Sequence, residues 1–418
     1  MKQLFKYWYS WFNKQPWVLK WFLWLILLMP VISMFHDKEG GGFSPLQIVG
    51  ALCFLFSFKT IIARRIQLQR YELFLLIFGV LLVFNNVIFF GLNISISNFG
   101  FVLRNLLPLL IYFYLRRVIK SRNEFDGILL TFLVASILPI SIMLYEFFFA
   151  PIKEVYTQES RGGFVRLSGF YADLFSYLAF IVGDFVIISY FVLRRKLNFT
   201  ILQFGIFVVL TLIGLLSLSH QASWAVFAAI LLLLLWFSKG SKNSKKIVGI
   251  LIVGSILGGG FLVEKYIAPL FNKEISVYLG TSNQEKAFNG RMIRWKKYLD
   301  RWEKMSSGNH LIGIGASGSL YTKDMMSGGM HSDYVRFLFA TGIVGVLSYV
   351  FFYLSLLFRK KGMHKPEKFI ISSAIAVMLL YGISANPFGS SGSLIYVTMS
   401  ICAFTAIGKN RIYANSKK

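Results

Sequence analysis

The chain has 418 residues, 56% of them hydrophobic and 17% aromatic, with a mean hydropathy of +0.63 and a net charge of +26. That balance excludes a soluble domain of this length and leaves an all-α polytopic membrane protein. The charge calls for no nucleic acid, because most of it lies at the ends of apolar segments, where it sets topology and faces anionic lipid.

A membrane helix needs ~20 mostly apolar residues. The sequence predicts about twelve, near 17–35, 46–62, 73–90, 99–115, 128–149, 170–193, 199–218, 222–237, 247–263, 335–358, 369–385 and 393–407. The first is long for a signal core and no small-residue cleavage site follows it, so it is read as a retained span. Cys53 and Cys402 fall inside predicted spans and are read as packing residues rather than a disulfide. In the fourth span, Arg104 is costly in lipid and needs a polar cavity or a carboxylate, with Asp173 and Asp184 as candidate structural partners.

Lysine and arginine orient the spans. Of 44 basic residues, 27 gather at one set of ends, among them Lys2, Arg116, Arg122, Arg194, Lys365 and Lys418. Those ends and both termini are expected to be cytoplasmic. The other side holds Lys38, Lys153, Arg161 and Arg166, plus ten basic residues in one long loop, Glu264–Asp333. No Pro- or Ser-rich linker and no internal repeat interrupts the chain. Residues 1–418 are therefore read as a single transmembrane domain with one large extracytoplasmic loop over 264–333.

Polar residues collect in three outer segments. Lys153–Ser168 carries Glu154, Glu159, Arg161 and Arg166 ahead of Gly169-Phe-Tyr-Ala-Asp173. A tight turn, Ser217-Leu-Ser-His220-Gln-Ala-Ser-Trp224, joins two apolar helices. The third segment is the long loop. Near 290–306 its spacing predicts an interfacial helix, with Trp295, Tyr298, Leu299, Trp302 and Met305 on one face and Arg294, Lys297, Arg301 and Lys304 on another. Arg291 sits among the apolar residues at the helix start, where a bound anion or an acidic partner would offset its cost.

The loop closes on His331-Ser-Asp333-Tyr334, at the mouth of the tenth span. Gly313-Ile-Gly-Ala-Ser-Gly318 matches a dinucleotide-binding pattern but lacks a surrounding βαβ unit, so it is read as a glycine-rich turn. His331 and Asp333, with His220 and His310, also permit a metal reading. They lack helical i, i+4 spacing and include no cysteine.

Several of these pieces resemble the O-antigen polymerase and ligase superfamily of membrane glycosyltransferases. They are Arg166-Leu-Ser-Gly169, Ser219-His-Gln-Ala-Ser-Trp224, Gly290-Arg-Met-Ile-Arg-Trp295, His310-Leu-Ile-Gly-Ile-Gly315 and His331-Ser-Asp-Tyr-Val-Arg-Phe-Leu-Phe-Ala-Thr-Gly342. The last is the most specific and ends in the step Gly342-Ile-Val-Gly345. The first 150 residues match only in hydropathy. The family usually has Ser-Arg where this chain has Ser219-His220.

The resemblance implies a GT-C-like architecture and a metal-independent glycosyltransferase without cofactors. It implies transfer from an undecaprenyl-pyrophosphate-linked oligosaccharide on the periplasmic face of the bacterial inner membrane. His331 and Arg291 would be catalytic, with Arg161, Arg166, His220, Arg294, Asp333 and Tyr334 binding substrate. A histidine with a pKa near ~6.5 can accept a hydroxyl proton, and guanidinium groups can hold pyrophosphate. The leading expectation is a polymerase joining lipid-linked repeat units, with a chain-length regulator protein as a candidate partner. A ligase acting on lipid A-core is the alternative. A transporter or flippase would predict related halves, and none is found.

Overall fold

Apolar periodicity carries over directly into helices. The computed structural model describes residues 2–35, 45–63, 67–90, 96–152, 167, 169–170, 174–194, 201–218, 220–239, 247, 249, 268–281, 291–315, 331–359, 363–385, 387–388 and 393–407. All regular structure among them is helical. The helices are α1 Lys2–Asn13, α2 Trp17–Ile32, α3 Pro45–Ile62, α4 Glu72–Phe90, α5 Ile96–Val118, α6 Arg122–Ala135, α7 Ile137–Phe148 and α8 Leu174–Arg194. They continue as α9 Ile201–Leu218, α10 Gln221–Ser238, α11 Ala268–Tyr278, α12 Arg291–Glu303, α13 Ser307–Ile312, α14 Asp333–Arg359, α15 Lys365–Ser384 and α16 Ser393–Ala406.

Eleven predicted spans coincide with these helices; the one at 247–263 lies outside the described residues apart from Ile247 and Gly249. Among the described residues, four segments are long and apolar enough to cross a membrane: Arg122–Phe148, Gln221–Ser238, Asp333–Arg359 and Lys365–Ser384. Five shorter apolar helices accompany them, as expected of a polytopic membrane protein. Arg122–Phe148 is one span with a joint at Ser136, whose hydroxyl donates to Leu133 O and to Asp184 Oδ2, 2.6 Å away.

The sequence reading passed over α1. Trp8 and Phe12 are buried, Trp8 Nε1 donates to Thr131 Oγ1 at 2.9 Å, and the Trp11 ring occupies the space a side chain at Gly127 would need. With aromatics on one side and Lys6 and Lys14 elsewhere, α1 lacks the continuous apolarity of a span.

At the end assigned to the cytoplasm, three carboxylates are buried and paired. Glu72 accepts from Arg116 and from Tyr112, the latter at 2.7 Å. Asp126 pairs with Arg194 and accepts from Tyr190 at 3.0 Å, and Glu367 pairs with Arg122. These arginines are therefore more than topological markers, because each neutralises a carboxylate that would be costly alone in an apolar setting. They tie the start of α4 to the end of α5, the start of α6 to the end of α8, and the start of α15 to the start of α6.

The orientation has a direct test. Ser307 is exposed at the start of α13, whereas Cys53 and Cys402 are buried and should give little background. In otherwise wild-type protein, Ser307→Cys should react with a membrane-impermeant maleimide in intact cells. Labelling only after the membrane is opened would reverse the topology.

Candidate active site

The site grows from the first turn of α14 and the last turn of α15. A helix ends with carbonyls that lack intrahelical partners, and here other elements fill that role. Ser332 Oγ donates to Gly382 O at 3.1 Å, and Asp333 N donates to Ala385 O at 3.0 Å. Tyr334 Oη donates to Leu379 O at 2.8 Å, and Arg291 Nη1, from α12, donates to Ser384 O at 2.9 Å. Arg291 and the Asp333 backbone thus dock on adjacent carbonyls. Two candidate residues far apart in sequence share one platform.

Asp333 is fully buried. Its Oδ2 accepts from Phe388 N at 2.9 Å, and its Oδ1 pairs with Arg336 one turn along. The cap of α14 is Ser332, whose Oγ accepts from Val335 N at 3.4 Å. The charge of Arg104 acts on Asp333; Asp184 bonds Ser136, and Asp173 lies outside the described residues.

His331 immediately precedes this anchored turn. It is half-buried and has φ of 44°, making it the non-glycine residue with positive φ among those described. Left-handed backbone is uncommon outside glycine, although histidine, asparagine and aspartate tolerate it better than most. Ser332 and Asp333 are locked to α15, so the imidazole projects from a fixed point rather than from a free loop.

The α14 helix is not continuous. Gly342 has φ 63° and ψ −169°, which splits it into an outer half, 333–341, and an inner half, 343–359. A Cβ at Gly342 would stand 2.3 Å from Leu311 O, and one at Gly313 would stand 2.6 Å from Gly342 N. The two backbones can meet only because both positions are glycine. The glycine-rich turn lays its chain against the break, with Ile314 N donating to Phe339 O at 2.8 Å and Gly315 N to Ala340 O at 3.2 Å. Residues beyond Gly315 in that motif lie outside the described ones.

The predicted loop helix forms as α12. Tyr298 is buried against Phe339, with Trp302, Met305, Ile314 and Val335 around them. Its apolar edge therefore has a protein partner in the outer half of α14. Lys297, Arg301 and Lys304 are exposed as expected, but Leu299 is also exposed and Arg294 is half-buried beside Arg291's turn. Burial raises the Tyr298 phenol above its ordinary pKa, and the nearby Arg294 charge opposes that shift. His310 Nε2 lies 2.7 Å from Trp302 O, and its ring packs on the Trp302 indole.

His220 is held separately. It is buried at the start of α10, with Nδ1 2.9 Å from Ser223 Oγ. Arg161 and Arg166 lie outside the described residues. Leu167, next to Arg166 in sequence, donates its backbone N–H to Ser217 O at 3.1 Å, close to the His220 turn. Glu146, passed over in the sequence, accepts from Ile152 N at 3.0 Å, Gly169 N at 3.1 Å and Tyr177 Oη at 3.0 Å. A lone carboxylate near the outer end of a predicted span was the available signal. Among the described residues, no three His, Cys, Asp or Glu side chains converge as a ligand set.

No curated protein matches the chain. Residues 205–350, which run from α9 through α12 and the break in α14, match the family model Wzy_C, described as O-Antigen ligase. Over that segment the chain is similar to the O-antigen polymerase and ligase superfamily, a family of glycosyltransferase-like membrane proteins in O-antigen biosynthesis.

Proposed function

We propose that the protein is a polymerase that transfers a glycan from undecaprenyl pyrophosphate to a sugar hydroxyl of a second lipid-linked unit. The observation that carries this reading is the convergence of Arg291 and the His331–Asp333 turn on the end of α15. His331 accepts the proton of the acceptor hydroxyl as its oxygen bonds to the anomeric carbon. The bond from that carbon to the pyrophosphate oxygen breaks, and the electron pair leaves with undecaprenyl pyrophosphate. Arg291 and Arg294 stabilise the leaving charge, with either Arg161 or Arg166, or else His220, as a further contact to the pyrophosphate. Asp333 and Tyr334 act here mainly by holding the turn that presents His331. The reaction takes place on the periplasmic face of the inner membrane and needs neither cofactor nor metal.

The description of the matching family favours a second reading, transfer of finished polymer to lipid A-core. Purified protein given a defined undecaprenyl-linked unit, with and without lipid A-core, separates the two. A ladder of lipid-linked products without core supports the polymerase, and product only on core supports the ligase. In the same assay Arg291→Lys should remain impaired, because an ammonium cannot reproduce a bidentate fork on pyrophosphate. Arg301→Ala, on the exposed face of α12, should be mild. Wild-type activity in Arg291→Lys would remove Arg291 from the donor site.

A further inference from the structure

The break at Gly342 leaves the outer half of α14 in need of an external support. Two of its carbonyls are met by backbone of the glycine-rich turn, as described. The third contact comes from α4, a part of the chain that matches the family only in hydropathy. Asn85 is fully buried near the outer end of α4, and its Nδ2 donates to Ala340 O at 3.0 Å and also to Ile312 O. Carbonyls only accept, so the amide must present nitrogen rather than oxygen to them. The Asn85 backbone also lies against Gly315, where an added Cβ would stand 3.1 Å from Asn85 O. One side chain thus bridges the two strands of chain that meet at the break: the end of α13 and the half-helix that begins beside His331.

We propose that Asn85 is a positioning residue, acting through this bridge to fix the pose of residues 331–341 and hence of the His331 imidazole. The proposal rests on His331 being the base. Without the amide, Ala340 O keeps its bond from Gly315 N, but the tie between that carbonyl and Ile312 O is lost, in an apolar setting that offers few replacement donors. Loss of the amide therefore favours a shift of the half-helix about Gly342, where the helical ladder is already interrupted. A displacement of ~1 Å in a reacting group can cost ~10²-fold in rate without touching substrate.

The experiment uses full-length Asn85→Leu, close in shape but without a donor, reconstituted in nanodiscs. Expected are a fall in kcat of ~10²-fold, with donor KM within about two-fold of wild type. Amide hydrogen exchange should accelerate over 311–315 and 331–341 and stay unchanged over 343–359. The exchange readout is independent of the reaction. If wild-type protein fails to transfer glycan, the functional reading falls while the bridge is still tested. Unchanged exchange over 331–341, or a wild-type kcat, overturns the proposal, and so does a loss seen only in KM. Uniformly faster exchange across the helices would assign Asn85 to general packing and also overturn it. If Asn85→Leu does not purify, Asn85→Ser, too short to span both carbonyls, is read in the same way.

Discussion

Replacing His331 by alanine or asparagine is expected to lower glycan transfer by ~10²–10⁴-fold, the usual cost of removing a positioned base. Asparagine is the cleaner variant. The residue has φ of 44°, and asparagine accepts left-handed backbone better than alanine, so the imidazole is lost with little change in the turn. Lipid-linked donor should still bind, since its pyrophosphate is assigned to the arginines. The readouts are the length and amount of polymer from purified protein, with donor binding measured separately. Wild-type amounts of polymer from both variants would refute the mechanism while leaving the family resemblance intact.

The largest effect on stability is expected at Asp333. Its carboxylate is fully buried between Arg336 and Phe388 N. Asp333→Ala would strand a guanidinium and a backbone N–H in an apolar setting, and breaking such a pair from one side typically costs ~3–5 kcal/mol. The thermal midpoint of detergent-solubilised protein should fall, and activity should fall with it because the turn carrying His331 loses its anchor. Asp333→Ala combined with Arg336→Leu should recover much of the midpoint, since removing both partners leaves no unpaired buried charge. Equal midpoints for Asp333→Ala and wild type would mean that the pair contributes little, and the anchoring role would then fall to the Ser332 and Tyr334 bonds.

These two residues also mark how far the sequence could be read. His331 was legible because a titratable side chain at a loop-to-helix junction stands out against apolar neighbours, and because the motif around it resembles a family. The role of Asp333 was not, because its partners lie at Arg336 and at Phe388, fifty-five residues away across a turn that has no pattern of its own. Arg104 illustrates the same limit. Its cost in lipid announced a partner, yet composition could not choose between acids far apart in sequence, and the fold placed it in reach of Asp333.

What the sequence determined by itself was local in origin. Hydropathy gave eleven apolar segments that the structure contains as helices, and the periodicity of 290–306 gave α12. Charge asymmetry gave an orientation that remains open to the labelling test. Each of these signals depends on residues within one or two turns of one another, where side-chain spacing and backbone hydrogen bonding act directly. The tertiary structure alone decided which backbone groups the site uses: the carbonyls at the end of α15, the split of α14 at Gly342, and the Asn85 bridge. Backbone carbonyls are identical at every position, so no residue type records which of them will be left open. Only packing settles which donor reaches them.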